Sequence, residues 1–455
     1  FKVDYLSCQS QSNTGDMRSR PQAWAKNIVS VGGVEWVGTL NKADDFWGGA
    51  SFGPASDQRG KPDLTSCYGD IPATSNASNS GTTSFGGTSG ATPITAGAFG
   101  ILTQMWHEGA FAGFGGGSSV FTSRPRAMTA KAMMINTAYR YPLTQGGLTR
   151  ARQGWGLADV GNLYSLRNKM LIVNESDLVT NGQTKTYQVC IGANEPTASF
   201  TLCYIDPPGN PAAQQARIND LSLRVTAPGG GTVYRGNSGL VANNFSTSGG
   251  IFDNRDTVEN VFIQNPTPGI WTVDVVATSI VQDAYPATVG VNDVPFALVA
   301  SGVLGQRPTM FPAGAIPTML SPTTPTTITI RVVPGCEGVL AGSVTLVYRS
   351  SPSSAFTNIT MAPLGDGLYS ATLPLPVCTD SPEFFFSAAG DQGSVVLLPS
   401  NAPAALYSAT VADVVSRFPE RQATELFKVY EFDFSADRSN EVLVIPTQNL
   451  GPDLR

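Results

Sequence analysis

Histidine is nearly absent: 455 residues contain one, His107. Charge is scarce too. Asp, Glu, Lys and Arg make up 14 % of the chain, and the formal net charge is −6. The first shortage leaves any imidazole chemistry with one supplier. The second removes the electrostatic reason for binding nucleic acid or an anionic membrane surface. No apolar run reaches the roughly 18 uncharged residues of a membrane span. There is no CxxC pair, and one histidine cannot furnish a Cys/His zinc site.

Glycine (48) and proline (32) are plentiful, beside 41 % hydrophobic residues. That mixture suits β-rich secreted or surface domains with real cores and many turns. The six cysteines fit disulfides in an oxidising compartment, with buried free thiols as the alternative. The expected bridges are Cys190–Cys203 and Cys336–Cys378, each closing a β-rich stretch, and then Cys8–Cys67. Asn174-Glu175-Ser176 and Asn244-Phe245-Ser246 are glycosylation sequons. "FKVDYLSCQSQSNTG" begins inside what reads as a strand, and "LVIPTQNLGPDLR" ends just after one. The chain therefore reads as an internal piece of a longer precursor, or as a processed chain with a partner.

Five regions follow from the patterning. Residues 1–165 alternate short apolar strands with helices, an α/β pattern. "NIVSVGGV" (Asn27–Val34) is a buried strand. Ala91–Met105 is small and apolar on nearly all faces, which predicts a fully buried helix, and Arg126–Ala138 reads as an amphipathic one. Residues 166–301 alternate apolar and polar residues between Gly, Pro and Asn turns in "KTYQVCI", "SFTLCYI", "LSLRVTAP", "ENVFIQNP", "GIWTVDVVA" and "FALVASG", the pattern of a β-jelly-roll or sandwich. Residues 302–327 read as a Pro/Thr-rich linker. Residues 328–411 read as a second β-sandwich, immunoglobulin- or fibronectin-like, and 412–455 as the start of a further element.

The stretch "SFGGTSGATPITAGAFGILTQ" (Ser84–Gln104) delivers Ser89 on glycines to a helix start. Free N–H groups and positive potential there suit an oxyanion. The bland alternative is a Ser/Thr cap on a core helix. Pro93 fits the first helical turn.

This stretch resembles the catalytic-serine signature of the subtilisin-like serine proteases, G-T-S-x-A-x-P-x-x-A-G, at Gly87, Thr88, Ser89, Ala91, Pro93, Ala96 and Gly97. "FGPASDQRGKPDL" (Phe52–Leu64) is similar to that family's G-P-x-x-D-G-R-x-K-P-D segment, with Gln58 in place of a glycine and Gly60 in the usually bulky position. "SQSNTG" (Ser10–Gly15) with "PQAWAKNIVSVGG" resembles the oxyanion-asparagine loop and the following strand, and "MMINTA" the closing helix. The resemblance implies a partial subtilisin-like parallel-sheet domain in which Ser89 is the nucleophile. Asn13 and the Ser89 backbone N–H would form the oxyanion hole, with Ser10–Gly15 as one wall of the P1 pocket. An Asx-turn role is the alternative for Asn13. In that family the Asp and His precede these residues, so both are expected upstream of Phe1. The only histidine, His107, lies 18 residues after Ser89 and is too far along a helix to serve.

"INDLSLRVTAPGGGTVYRGN" and "FDNRDTVENVFIQNPTPGIWTVDVVA", within Ile218–Ala277, resemble the jelly-roll barrel that follows the catalytic domain in some bacterial subtilases, and the P-domain of proprotein convertases. That implies structural Ca²⁺, with Asp220, Asp253, Asn254, Asp256 and Glu259 as candidate ligands. A solvated acidic loop is the alternative. The expected activity is endopeptidase cleavage of protein or peptide substrates through an acyl-enzyme, with this chain inactive alone. The competing expectation is a non-catalytic surface-binding protein on a degenerate protease scaffold.

Overall fold

Three parallel strands, β1 (Cys8–Ser10), β2 (Val29–Val34) and β3 (Leu64–Cys67), open the chain in the spatial order β1-β2-β3. The computed structural model describes residues 4–412 except 116, 118, 211 and 212. All six β2 residues are buried, as a parallel strand covered on both faces requires. A hairpin, β4 (Ile71–Thr74) and β5 (Thr82–Phe85), leads into helix α1 (Thr88–His107). Helices α2 (Ala127–Thr137), α3 (Arg150–Gln153) and α4 (Val160–Leu166) follow.

Eight antiparallel strands come next: β6 (Met170–Thr180), β7 (Thr184–Ile191), β8 (Thr197–Tyr204), β9 (Asp220–Thr226), β10 (Val233–Arg235), β11 (Val258–Gln264), β12 (Gly269–Ser279) and β13 (Asp293–Ser301). They form two four-stranded sheets, ordered β10-β9-β12-β7 and β11-β8-β13-β6. Val189, Phe200, Leu223, Val261, Trp271 and Leu298 meet in a core fed by both sheets. The other face of the β8/β11/β13 sheet, through Cys203, Phe262, Ala297 and Val299, joins the core of α1, α2, β2 and β3. All nine β13 residues are buried for that reason. The fold is thus mixed, mostly sheet with few helices.

That shared sheet explains three departures from the sequence reading. The regions 1–165 and 166–301 are not separate bodies, because residues 1–306 pack as one compact unit. Helix α2 is not amphipathic in its surroundings: all eleven residues are buried. Its polar positions find partners inside instead. Asn136 Nδ2 donates to Ser199 O (3.0 Å), Thr201 Oγ1 (3.1 Å) and Val299 O (3.1 Å). Lys131 Nζ reaches Asp63 at 2.8 Å and Ile28 O at 2.7 Å. Helix α1, in contrast, is not fully buried. Pro93, Ile94, Ala96, Gly97, Gly100 and Ile101 are exposed, while Leu102 and Trp106 face the core.

Residues 307–412 form the second unit. A four-stranded sheet joins β14 (Thr309–Pro312), β16 (Thr327–Val333), β20 (Leu368–Thr372) and β19 (Ala362–Gly365). Another joins β18 (Thr357–Thr360), β17 (Thr345–Arg349), β21 (Glu383–Ala389) and β22 (Val395–Leu398), with β23 (Tyr407–Ser408) also on β21. The stretch read as a linker supplies β14 and β15 (Met319–Leu320). The first pairs with β16 and the second with β24 (Thr410–Val411). The adjacent Met310 and Phe311 of "TMFP" are both buried, which the proline-rich composition concealed. Beyond residue 412, the further element read at 412–455 lies outside the described residues.

None of the three expected cysteine pairs forms. Cys8, Cys67, Cys203 and Cys378 are free, while Cys190 and Cys336 are each disulfide-bonded. Cys190 lies on β7 and Cys203 on β8, in different sheets, and neither joins the core between them. Sheets stack about 10 Å apart, beyond the reach of a disulfide. Cys8 and Cys67 sit two strands apart, opposite Val29 and Val34 of β2.

One side chain crosses from the sheets to cap α2. Three β6 residues, 175–177, bulge opposite Phe296, and Glu175 there holds a left-handed φ of 53°. Its buried Oε1 accepts from Met128 N (2.9 Å) and Thr129 N (3.1 Å). Burial pushes its carboxyl up to about 7 against the two N–H donors, which favour the anion. A folded-state value above the unfolded one gives stability that is complete below the ordinary carboxyl range and lost as pH rises through about 7. The urea midpoint is therefore expected to fall between about pH 4.5 and about pH 7, and to fall less in Glu175→Gln. An equal fall in both would assign the effect to other groups.

Candidate active site

The turn before α1 sets the site. Gly87 caps the helix at φ 79°, a left-handed conformation that suits glycine. Its N–H donates to Tyr68 O at 2.6 Å. Thr88 is then the first helical residue and Ser89 the second. Thr88 is buried and Ser89 is exposed. Pro93 falls in the second helical turn, not the first, so the N–H that would reach the Ser89 carbonyl is missing.

The Asn13 loop is fastened to that turn. Asn13 Oδ1 accepts from Thr88 N and from Thr88 Oγ1, both at 2.9 Å. Ser12 N donates to Thr88 Oγ1 at 3.1 Å, so one threonine hydroxyl bridges two loop residues. Thr14 N donates to Ser51 Oγ (3.0 Å), and Ser51 N to Ser12 O (2.8 Å). Ser12 holds φ 99°, a strained value for a side chain with a Cβ, immediately before Asn13. With Oδ1 committed, the amide presents Nδ2. That atom lies 2.7 Å from where a Gly87 Cβ would stand, so glycine is needed there on steric grounds as well. Among the described residues neither Asn13 Nδ2 nor Ser89 N–H has a hydrogen-bond acceptor. Two unsatisfied donors thus flank the helix start beside an exposed hydroxyl.

Ser89 opens onto a groove of about 710 Å³, lined also by Cys8, Gln9 and Ser10 of β1, by Pro93 and Phe99 of α1, and by Arg124. Arg124 Nη1 is held by Asp4 O at 3.0 Å. Among the described residues, strand β1 pairs with β2 on one side only. Helix α1 runs unbroken to His107, which puts that imidazole about 27 Å from Ser89 at about 1.5 Å per residue. A general base must come within about 3 Å, or one water, of the hydroxyl.

Residues 6–156 match the Subtilase family model. This segment is subtilase-like. The chain is 28 % identical over 258 residues to "Serine protease/ABC transporter B family protein tagA" of Dictyostelium discoideum, covering 51 % of this chain. It spans only 14 % of that relative's length. Among solved structures, the self-cleaved protease domain of PatA is 17 % identical with a TM-score of 0.26. The prenylagaramide maturation protease PagA is 18 % identical with a TM-score of 0.27. In both cases 36 % of this chain and 50 % of the other are covered. Overlaps that low carry no structural argument. The subtilase segment contains every residue of the serine turn and the Asn13 loop.

Four of the five candidate calcium ligands are close in sequence, and besides burial the charges of Asp253, Asp220 and Asp256 all raise the Glu259 carboxyl. Asp220 starts β9, Glu259 is inside β11, and Asp253, Asn254 and Asp256 occupy the loop before it. Among the described residues, no three Asp, Glu, His or Cys side chains form a group able to hold a metal. Protein donors already occupy several of the oxygens. Asp253 Oδ1 accepts from Arg255 N (2.8 Å) and Asp256 N (3.2 Å), Asp253 Oδ2 from Asn237 Nδ2 (2.7 Å), and Asp256 Oδ1 from Gly60 N (2.8 Å). The Arg217 guanidinium covers Asn254 O and reaches Asp220 Oδ2 at 3.3 Å. Asp220 Oδ1 and Glu259 Oε1 are left buried without a partner. Burial, then the nearby Asp253 charge, pushes the Glu259 carboxyl well above its usual range.

Sequence reasoning missed Thr88 and Ser12 as positioning residues. The signal for Thr88 was its fixed place one residue before the serine. Nothing in the sequence marks the strained φ of Ser12.

Proposed function

We propose that the subtilase segment is the nucleophile-bearing part of a serine endopeptidase acting on protein or peptide chains. The observation that carries this is the convergence of the exposed Ser89 hydroxyl with two unsatisfied donors, Asn13 Nδ2 and Ser89 N–H. The attacking oxygen would be Ser89 Oγ. The two donors would stabilise the tetrahedral oxyanion, where losing one such donor costs about 3–4 kcal/mol. The family match and the serine-protease name of the tagA relative support the reaction class. The P1 wall would come from the uncharged loop Ser10–Gly15, which offers no anion for a basic P1 residue.

Among the described residues no imidazole stands within reach of Ser89, so the Asp and His would come from another segment of the protease. The one-sided pairing of β1 and the exposed apolar face of α1 are what a further part of the domain would cover. Alone, the chain would be inactive. An oxidising, secreted or surface location is supported by the disulfide-bonded Cys190 and Cys336. No helix among the described residues is long and apolar enough to cross a membrane. The isolated chain is expected to resist a fluorophosphonate probe. Joined to a segment supplying the acid and imidazole, it should label at Ser89, and Ser89→Ala should abolish labelling. Labelling of the isolated chain at Ser89 would overturn the shared-base reading. Persistent silence of the joined protein would favour a binding protein on a degenerate scaffold.

Calcium near the acidic loop is a second proposal. Its support is the pair of orphaned carboxylate oxygens, Asp220 Oδ1 and Glu259 Oε1, which a divalent cation would satisfy together with loop carbonyls after a local closure. Binding the folded state alone, calcium at a hundredfold excess over Kd would stabilise by about 2.7 kcal/mol. A chelator should then lower the melting temperature, and Asp253→Ala should remove most of that sensitivity. Identical melting with calcium and with chelator would refute the site.

A further inference from the structure

From residue 109 to residue 158 the chain carries six Lys and Arg side chains and no Asp or Glu, and residues 221–252 again contain no acid. The fold brings these two acid-free segments together. Arg140, three residues past the end of α2, places its guanidinium 4.0 Å from the Phe262 ring centroid and 5.9 Å from that of Phe245. Arg150 reaches the same loop, donating through Nη2 to Asn244 Oδ1 at 2.8 Å. The loop is pinned to β11 there: Ser246 N donates to Phe262 O (2.8 Å), and Phe262 N to Ser246 Oγ (3.0 Å). The acid of β11, Glu259, belongs to the opposite face of the sheet. Val258 and Phe262 enter the core shared with the helices, while Val261 and Ile263 enter the core between the sheets.

The two arginines are used differently. Arg150 spends its donors on neutral oxygens: Nε on Leu240 O (2.9 Å), Nη1 on Gly154 O (2.8 Å), and Nη2 on Asn243 O (3.2 Å) as well as Asn244. Its hydrogen bonds are made, but its charge meets no carboxylate. Arg140 is half-buried and makes no hydrogen bond or ion pair among the described residues. Its nitrogens are not sealed from solvent. The Phe262 ring offers the charge a polarisable partner, but no oxygen for the guanidinium N–H groups.

The electrostatics agree with that geometry. Burial alone pushes the Arg140 guanidinium down to about 10. Burial, and then the Arg140 charge, pushes Arg150 down to about 9. No acid offsets either shift, and both side chains stay cationic at neutral pH. Two neighbouring positive charges, one with its whole hydrogen-bonding fork unused, are left without a counterion.

We infer that Arg140 anchors an oxyanion site, in which its free fork holds a carboxylate, Arg150 adds a second positive charge and Phe245 flanks an apolar body. The match is geometric as well as electrostatic, because parallel guanidinium N–H groups fit the two oxygens of such an anion. Two sources share this chemistry, the carboxylate of a small organic acid and inorganic phosphate. The partly buried Phe245 ring beside the fork favours the organic acid. The inference does not rest on Ser89 being a nucleophile.

The test is calorimetric titration of the whole chain in chloride buffer at fixed ionic strength, so that general screening is constant. The probes are benzoate, its neutral isostere benzamide, and inorganic phosphate. One-to-one binding of benzoate is expected, with benzamide weaker by at least about tenfold. Arg140→Gln should lose a similar factor in benzoate affinity. Arg140→Lys should recover only part of it, since an ammonium keeps the charge without the fork. Tighter binding of benzoate assigns an organic-acid site, and tighter binding of phosphate assigns an inorganic-anion site. No saturable binding of either anion, equal binding of benzoate and benzamide, or unchanged binding in Arg140→Gln overturns the inference. The benzoate–benzamide comparison uses the unaltered protein, so a poorly folded variant does not blunt it.

Discussion

The carboxylate of Asp63 holds the first unit together. It is 2 % exposed, meets Lys61 at 2.7 Å and Lys131 at 2.8 Å, and accepts the Ser30 N–H of β2 at 2.8 Å. Three elements end on one side chain: the start of β3, the middle of β2 and the centre of α2. Burial pushes the Lys61 ammonium down to about 8, against the pull of Asp63 in the other direction. Removing one member of such a buried set leaves uncompensated charge and costs about 3–5 kcal/mol. The arrangement fixes α2, and α2 in turn carries the paired sheets on Asn136 and accepts its cap from Glu175.

The serine turn inherits that rigidity at one remove. Strand β2 pairs with β1, which runs into the Asn13 loop, and with β3, which leads through Tyr68 O to the Gly87 N–H. Ser12, Asn13 and Thr88 then form a closed set of hydrogen bonds. The free donors beside Ser89 are thus placed by a buried ion cluster, not by the exposed residues around them. The opposite side of α1 has no such support, and its small apolar residues face outward. The chain combines a fully braced corner, with two free N–H donors, and an open groove beside Ser89.

Much of this was legible in the residues. The alternating segments from "KTYQVCI" to "FALVASG" are strands, and "GTSGATPITAG" starts a long helix at a glycine. Exposure was not legible, because it depends on what a face meets. Helix α2 carries Thr129, Lys131, Asn136 and Thr137, a polar set that reads as solvent-facing. The second sheet and Asp63 supply partners that its own sequence does not reveal. Strand β6 hides behind the polar run Asn174–Asp177, since its bulge breaks the alternation that marks a strand. The cysteines misled for a related reason: closeness in sequence says nothing of which sheet face a thiol occupies. The acidic loop shows the same limit, with several of its oxygens already committed to separate protein donors.

The central claim is that Asn13 Nδ2 and Ser89 N–H act as one anion-binding pair. It is tested most directly by amide NMR of the chain joined to a segment supplying the acid and imidazole, titrated with a peptide boronate, whose tetrahedral adduct on Ser89 mimics the oxyanion without requiring turnover. The account predicts that the Asn13 side-chain amide and the Ser89 backbone amide shift together and saturate at the same concentration. A shift of one without the other, or of neither while the boronate binds, would contradict it.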